Sequence, residues 1–294
     1  MSERERRVGL PDIVALLSCP GCRSGLKWED DRLSCRTCGA EYPVVDGIPV
    51  LLPDGAAREV ERSRERPARR GLRSRLVAGL SPGGASYDPG QTTRIQAMLD
   101  RLGPTAFVLD LGCGGRCWGP RVIGMDLAWG AGVGLIGDGR RLPFPAGALD
   151  GLICTGVLEH VDDADVVVRE IHRVLRAGGL GYIAIPFMQG FHPATGTEAD
   201  YRRLTQPGLR RVLRDFEILE SGIAGGPSSA VGWILREYLA MLLPAHGPLA
   251  KLAHFASGWL TAWIKYLDVV VARRPMAHRI ASGFYALVRK PDRV

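Results

Sequence analysis

The chain has 294 residues, of which 46% are hydrophobic and 23% charged, with a formal charge of +7. That balance fits a soluble globular protein with one large core and room for a second small domain, and the positive charge admits an anionic partner without demanding one. The charged start Met1-Ser-Glu-Arg-Glu-Arg-Arg7 does not read as a secretory leader, and no uncharged window is long enough to span a bilayer. The chain is therefore expected in the cytoplasm.

Cys19-Pro-Gly-Cys22 and Cys35-Arg-Thr-Cys38 are two C-x-x-C knuckles separated by twelve residues. Each knuckle turns two thiolates toward one point, and four thiolates close a tetrahedral shell around Zn²⁺ with no position left for a substrate. In a reducing compartment such pairs read as metal ligands and not as disulfides. A segment this small cannot bury enough apolar surface to fold alone, so the zinc is expected to be structural and to supply folding energy. Around the knuckles, Leu16-Leu-Ser-Cys-Pro20 and Glu41-Tyr-Pro-Val-Val-Asp-Gly-Ile-Pro-Val-Leu-Leu-Pro53 resemble the small zinc-ribbon subunits that activate several tRNA and translation-factor methyltransferases, and their free-standing bacterial relatives. The resemblance implies a non-catalytic module over residues 1–57 that binds a methyltransferase, here fused to it.

Residues 58–90 change character. Arg58, Arg62, Arg64, Arg66, Arg69, Arg70, Arg73 and Arg75 are interrupted by Pro67 and Gly71, which predicts a linker. The run suits RNA phosphates, an acidic membrane surface, or simple solvation, with Glu59, Glu61 and Glu65 diluting it.

Gln91 to Leu102 reads as a helix with Ile95, Met98, Leu99 and Leu102 on one stripe, stopped by Gly103-Pro104. Phe107-Val-Leu-Asp-Leu-Gly-Cys-Gly-Gly115 then reads as a buried parallel strand ending in a glycine turn where backbone approaches a ligand closely. A dinucleotide site presents bare N–H groups to a diphosphate, and the carboxylate of Asp110 would repel that ligand. S-adenosylmethionine carries an ammonium and a sulfonium, which a carboxylate attracts.

From this point the chain resembles class I S-adenosylmethionine-dependent methyltransferases of the subgroup with LPF and VLEHV segments. The matching stretches are Val108-Leu-Asp-Leu-Gly-Cys-Gly114, Val122-Ile-Gly-Met-Asp126, Gly137-Asp-Gly-Arg-Arg-Leu-Pro-Phe144, Asp150 to Val161 and Arg169 to Gly179. The resemblance implies a Rossmann-like α/β fold over residues 91–294, with a seven-stranded sheet and helices on both faces. It also implies donor binding by Asp110, Gly112, Gly114, Asp126, Asp138, Gly139, Leu142 and Thr155. Asp126 would accept bonds from the ribose hydroxyls, Asp138 would stand beside the adenine amino group, and Thr155 would lie beside the transferable methyl. One departure is plain: Cys117-Trp-Gly-Pro120 cannot propagate a helix, so the first crossover is expected to shrink to a turn or so, with Trp118 available to cover the methionine end.

Glu159 and His160 are read as architectural, followed by a helix to Leu175 and a fifth strand at Tyr182-Ile-Ala-Ile-Pro186. Next come Phe191-His-Pro193 and Asp200-Tyr-Arg-Arg-Leu-Thr205, which resemble a subgroup that carries such elements above the methyl donor. This makes His192, Asp200 and Tyr201 the candidates for taking a proton from a hydroxyl as it is methylated. The alternative is an Asp200–Arg203 ion pair with Thr205 capping the following helix. Sixth and seventh strands are expected at Phe216–Ile223 and Ala281–Arg289, separated by an aromatic-rich helical insertion over residues 228–273. That insertion could roof a pocket, lie on a bilayer surface as a peripheral contact, or form core or a dimer contact.

Methyl transfer needs mainly alignment and exclusion of water, so the acceptor leaves few marks. The fourth strand is followed by Cys154-Thr-Gly-Val157 and not by the Asn/Asp-Pro-Pro-aromatic pattern of enzymes methylating exocyclic or amide nitrogens. No Pro-Cys nucleophile for cytosine C5 is present there either. Methylation at oxygen or carbon of a small, fairly apolar or glycan-linked molecule is the expectation. The rivals are an RNA methyltransferase docked through the ribbon and arginine run, and a catalytically silent binding module.

Overall fold

The computed structural model describes residues 9–52, 88, 90–193, 199–242 and 247–292. The arginines of the 58–75 run lie outside the described residues.

The ribbon opens with a short helix, α1 (Leu10–Ile13), and continues as four strands: β1 (Lys27–Glu29), β2 (Arg32–Ser34), β3 (Glu41–Val45) and β4 (Ile48–Leu51). Helix α2 (Gln91–Leu102) follows, buries Ile95 and Met98, and stops where Gly103 takes φ 86°. The expected span of this helix and its stop are both observed. Then come β5 (Val108–Leu111), β6 (Val122–Asp126), β7 (Leu135–Gly137), β8 (Leu149–Thr155), α3 (Ala164–Val174) and β9 (Leu175–Pro186). The chain ends with α4 (Gln206–Val212), β10 (Glu217–Gly225), α5 (Pro227–Met241), α6 (Pro248–Thr261), α7 (Asp268–Val271) and β11 (Gly283–Arg289).

Among the described residues the strands form an 11-stranded sheet in the order β1-β2-β3-β4-β7-β6-β5-β8-β9-β11-β10. Seven of these strands follow residue 91, and the four of the ribbon carry the sheet beyond the expected seven. The strands after residue 91 occupy one side, and the ribbon extends them edge to edge, with Val50 opposite Ile136 and Leu51 opposite Gly137 in parallel register. β5, β6, β7, β8 and β9 run parallel, whereas β11 is antiparallel to both of its neighbours. The order reverses between β5 and β8, and in open sheets ligands bind at the carboxyl ends of strands at such a switch.

Alternation along the central strands supplies both faces. Leu109, Leu152, Ile183 and Phe284 share a core with Val167 and Ile171 of α3 and Leu209 of α4. Val108, Ile153, Tyr182 and Tyr285 pack with Ile95 and Met98 of α2 on the other face. Helices therefore cover both faces, as expected. Ribbon residues Leu10, Ile13, Leu17, Leu33 and Leu51 belong to the first of these cores, so the ribbon is packed into the body and not tethered to it.

One expectation shifts, and the expected shortening of the first crossover is observed. The fifth strand begins at Leu175, directly after α3, not at Tyr182. The connection from β5 to β6 holds no helix, and Gly132 packs so closely on the backbone of Arg116 that no Cβ fits there. The loop before β7 thus fills the space a crossover helix would take. In the insertion, the buried carboxylate of Asp268 accepts from the amides of Ser228 and Ser229, both at 2.8 Å, and so caps the start of α5 from a distant part of the chain. No helix among the described residues is long and apolar enough to cross a membrane. The insertion does expose Tyr238, Met241, Trp259, Trp263 and Tyr266.

Candidate active site

The turn after β5 puts Gly112 at φ 68° and Gly114 at φ 64°, a region where a side chain is strained. A Cβ on Gly112 would strike Val157, whereas the space beside Gly114 is open. The amide of Gly114 donates to Asp126 Oδ2 at 2.9 Å, and Asp126 Oδ1 accepts from Ala128 N at 3.2 Å. The carboxylate at the end of β6 is therefore locked over the glycine turn.

Asp110 is 1% exposed. Arg116 Nη2 lies 3.4 Å from its Oδ1, and Trp118 Nε1 donates to its Oδ2 at 3.0 Å. Burial pushes its carboxyl above the usual range, opposed by the Arg116 charge and by the two donors. The carboxylate expected to attract a cationic ligand thus already faces a cation of the chain, Arg116. Trp118 packs on the Asp110 side of the turn, as a donor to that carboxylate.

Asp138 caps a short 3-10 turn by accepting from Arg140 N at 2.8 Å, and its Oδ2 pairs with Arg140 Nη2 at 2.7 Å. Gly139 is buried, and a Cβ there would stand 3.3 Å from Leu111. Leu142 is 2% exposed within the core, and its amide donates to Glu170 Oε2 at 3.0 Å. Its side chain is thus committed to the core. The ribbon braces this loop: Ser18 N donates to Pro143 O at 2.9 Å, and Arg141 Nη2 to Gly21 O at 3.3 Å.

At the end of β8, Thr155 is 8% exposed, and its Oγ1 has no hydrogen-bond partner among the described residues. It lines a cavity of about 320 Å³ together with Arg116, Glu159, Gln189, His192 and Trp233. His192 lies there with its ring 5.3 Å from Trp233 and 5.5 Å from His160. The Glu159 carboxylate beside it raises the pKa of His192.

Asp200 forms the ion pair with Arg203 that the sequence offered as its alternative role. Its side chain is 1% exposed, Arg203 grips both of its oxygens, with Nη2 to Oδ2 at 2.7 Å, and it accepts the amide of His192 at 2.8 Å. These donors hold its pKa down to about 2, so at neutral pH it anchors the His192 loop and is a poor proton acceptor. Tyr201 is 60% exposed. Thr205 Oγ1 accepts from Gly208 N at 3.2 Å, capping α4. The ion pair and the cap are both formed.

Glu159, architectural on the sequence reading, also lines the cavity beside Thr155. It is 1% exposed, its Oε2 has no partner among the described residues, and its Oε1 lies 3.8 Å from His192 Nε2 and 3.9 Å from His160 Nε2. The Glu-His pair after the fourth strand was the only sequence signal.

The second centre is the cysteine cluster. Cys19 Sγ is 3.6 Å from Cys38 Sγ, Cys22 Sγ is 3.4 Å from Cys35 Sγ, and the ligand atoms of all four lie within 4.8 Å of one another. Disulfide sulfurs sit about 2.05 Å apart, while four thiolates about 2.3 Å from one zinc are separated by roughly 3.8 Å. The donor set and spacing fit structural zinc. Tyr42 OH, 3.2 Å from Cys19 Sγ, supports the first knuckle.

A glycine turn at a switch point, an acidic residue closing the second strand, and a lined cavity beyond the fourth define a methyltransferase domain of the S-adenosylmethionine-dependent kind. Residues 109–183 match the family described as "Methyltransferase domain". The N-terminal region is 41% identical over 58 residues to a UPF0434 protein of Chelativorans sp. (strain BNC1), covering 19% of this chain and 80% of the relative. Through that segment the chain belongs to the UPF0434 family. Among solved structures, the [4+2]-cyclase SpnF is 19% identical with a TM-score of 0.47, over 84% of this chain and 99% of that one. A complex between the Haloferax volcanii Trm112 methyltransferase activator and a methyltransferase is 16% identical with a TM-score of 0.42, over 69% of this chain and 90% of that chain.

Proposed function

We propose that the protein methylates an oxygen of a small, largely apolar acceptor, with S-adenosylmethionine as donor. Gly112, Gly114, Asp126, Asp138 and Gly139 would hold the donor along the carboxyl ends of β5 and β6, with Thr155 beside its reactive end. What the donor supplies is an electrophilic methyl on a sulfonium. The observation that carries the reading is the cavity beyond β8, where an apolar wall from Trp233 faces the polar groups of Thr155, Glu159 and His192. An apolar acceptor finds a surface there, and its hydroxyl finds groups able to take charge of a proton. His192 is the residue in reach of that hydroxyl. Asp200, through its bond to the His192 amide, is a positioning residue.

The ribbon serves in this reading as a resident brace for the adenine-side loop, through Ser18, Gly21 and β4. Zinc bound at Cys19, Cys22, Cys35 and Cys38 would hold that brace together.

The test uses the purified full chain with methyl-labelled S-adenosylmethionine and a panel of small phenols, apolar alcohols, amines and RNA. Label on an oxygen of phenols or alcohols is the expected result. Label confined to RNA or to amine nitrogen would replace this reading, and failure to bind the donor in calorimetry would return the chain to the class of silent binding modules.

A further inference from the structure

We propose that Glu159, His160 and His192 form a binding site for a divalent transition cation at the edge of the acceptor cavity, separate from the four-cysteine centre. Their ligand atoms lie within 4.8 Å of one another. Two donors each about 2.1 Å from one ion are separated by roughly 3 to 4 Å, and the two Nε2-to-Oε1 separations, 3.8 and 3.9 Å, fall in that range.

The orientation of both rings supports the site. His160 Nδ1 lies 2.7 Å from Ala199 O, a carbonyl that can only accept, so this nitrogen carries the hydrogen. His192 Nδ1 lies 2.9 Å from Gly190 O and 3.2 Å from Arg203 Nη2. Arg203 Nη2 has two hydrogens, and they go to Asp200 Oδ2 at 2.7 Å and to Gly190 O at 3.0 Å. The hydrogen between His192 and Gly190 therefore belongs to His192. In the neutral rings, the form a cation would bind, both Nε2 atoms carry the lone pairs, and both face Glu159. Backbone carbonyls fixing the outer nitrogen while the inner one faces a carboxylate is the usual support of a metal-ligating histidine pair.

The carboxylate adds the second observation. Glu159 is 1% exposed, and its Oε2 has no donor among the described residues. A buried carboxylate is costly without a compensating cation. Two imidazoles and one carboxylate, with positions open toward the cavity, suit Mn²⁺, Fe²⁺, Co²⁺ or Zn²⁺ better than the all-oxygen preference of Mg²⁺ or Ca²⁺.

The site deepens the proposed function and rests on it for its chemistry. An acceptor hydroxyl bound to the cation loses its proton to solvent more readily, because a bound divalent ion lowers the pKa of a coordinated oxygen by several units. Its lone pair then forms the carbon–oxygen bond as the carbon–sulfur bond breaks, and that bonding pair leaves on sulfur. In this arrangement His192 is a ligand and not the base.

The experiment titrates Mn²⁺, which thiolates bind poorly, into the full chain already carrying one zinc, and follows free Mn²⁺ by electron paramagnetic resonance. One bound Mn²⁺ per chain is expected, with Glu159→Gln and His192→Gln each weakening it by about tenfold or more and zinc content unchanged. Far-UV circular dichroism reports whether each variant folds. Absence of a second cation in the wild-type chain, or equal binding in a folded Glu159→Gln variant, overturns the proposal. If oxygen methylation proceeds with no second cation, the proposed function stands and this site falls. A bound cation with methyl delivered elsewhere leaves the site standing and removes the function.

Discussion

Arg23 of the ribbon reaches Glu170 of α3, with Nη2 3.0 Å from Oε1, across what the sequence suggested was a boundary between modules. Glu170 is also held by Arg173 at 2.7 Å, and it accepts the Leu142 amide at 3.0 Å. One buried carboxylate thus joins the ribbon, the helix and the loop on the adenine side. Replacing it leaves Arg173 and the Leu142 amide short of an acceptor, and breaking a buried charged network costs about 3 kcal/mol. Glu170→Gln is expected to lower the urea midpoint accordingly and to weaken donor binding in calorimetry. A loss of stability with unchanged donor affinity would show that the brace does not reach the cofactor.

Gly112→Ala combines a positive φ with a Cβ driven into Val157. Strain of this kind costs about 1–3 kcal/mol, and relief requires the glycine turn to move. The expected outcome is a fall in donor affinity of about tenfold or more. Gly114→Ala meets the same unfavourable φ with open space beside it, so it is expected to be milder in thermal melts; equal effects would argue against the Val157 contact.

Asp110→Asn keeps the shape but removes the charge facing Arg116 and Trp118. Arg116 then faces the cavity without its counter-ion, and the cation-bearing donor is expected to bind at least about tenfold more weakly. Trp118→Phe, which removes one donor to a carboxylate, is expected to have a smaller effect, read by the same calorimetry. Unchanged affinity in Asp110→Asn would remove the electrostatic argument for the donor.

Asp200 has a native pKa of about 2, below its unfolded value. A depressed carboxylate contributes stability that is present above the unfolded pKa and lost as pH falls through the folded one. The contribution of about 2 kcal/mol should therefore be full above about pH 4 and disappear near pH 2. Asp200→Asn is expected to destabilise the protein at pH 7 but hardly at pH 2, measured by urea unfolding at both. A pH-independent loss would assign the effect to packing instead.

Tyr201→Phe is expected to leave the methylation rate within about twofold, because a side chain that is 60% exposed stands in the water that methyl transfer has to exclude. A hundredfold loss would return the phenol to the machinery.

The difference between what the sequence disclosed and what it hid follows from range. The turn at Gly112 and Gly114 and the knuckles at Cys19 and Cys35 are local: residue type and spacing dictate backbone geometry within a few positions. The Asp200–Arg203 pair was also within reach, being three residues apart. The Glu159, His160 and His192 cluster was not, because it depends on a loop folded back by Asp200 and by the Ala199 carbonyl. Nor was the continuity of the ribbon with the sheet, which rests on Val50 meeting Ile136. The Asp110 carboxylate was legible, but its contact with Arg116 was not, since that arginine lies on the shortened connection, whose path no periodicity announces.

The pairing of β4 with β7 has a consequence for solubility. β7 is three residues long and buried throughout, so without its ribbon neighbour it would offer unpaired amides and carbonyls to any passing strand. The rim that results is instead β1, whose residues are all exposed and include a Lys27–Glu29 pair. Zinc starvation should then turn a monodisperse solution turbid before it abolishes helical signal, because an apolar border loses its charged hem.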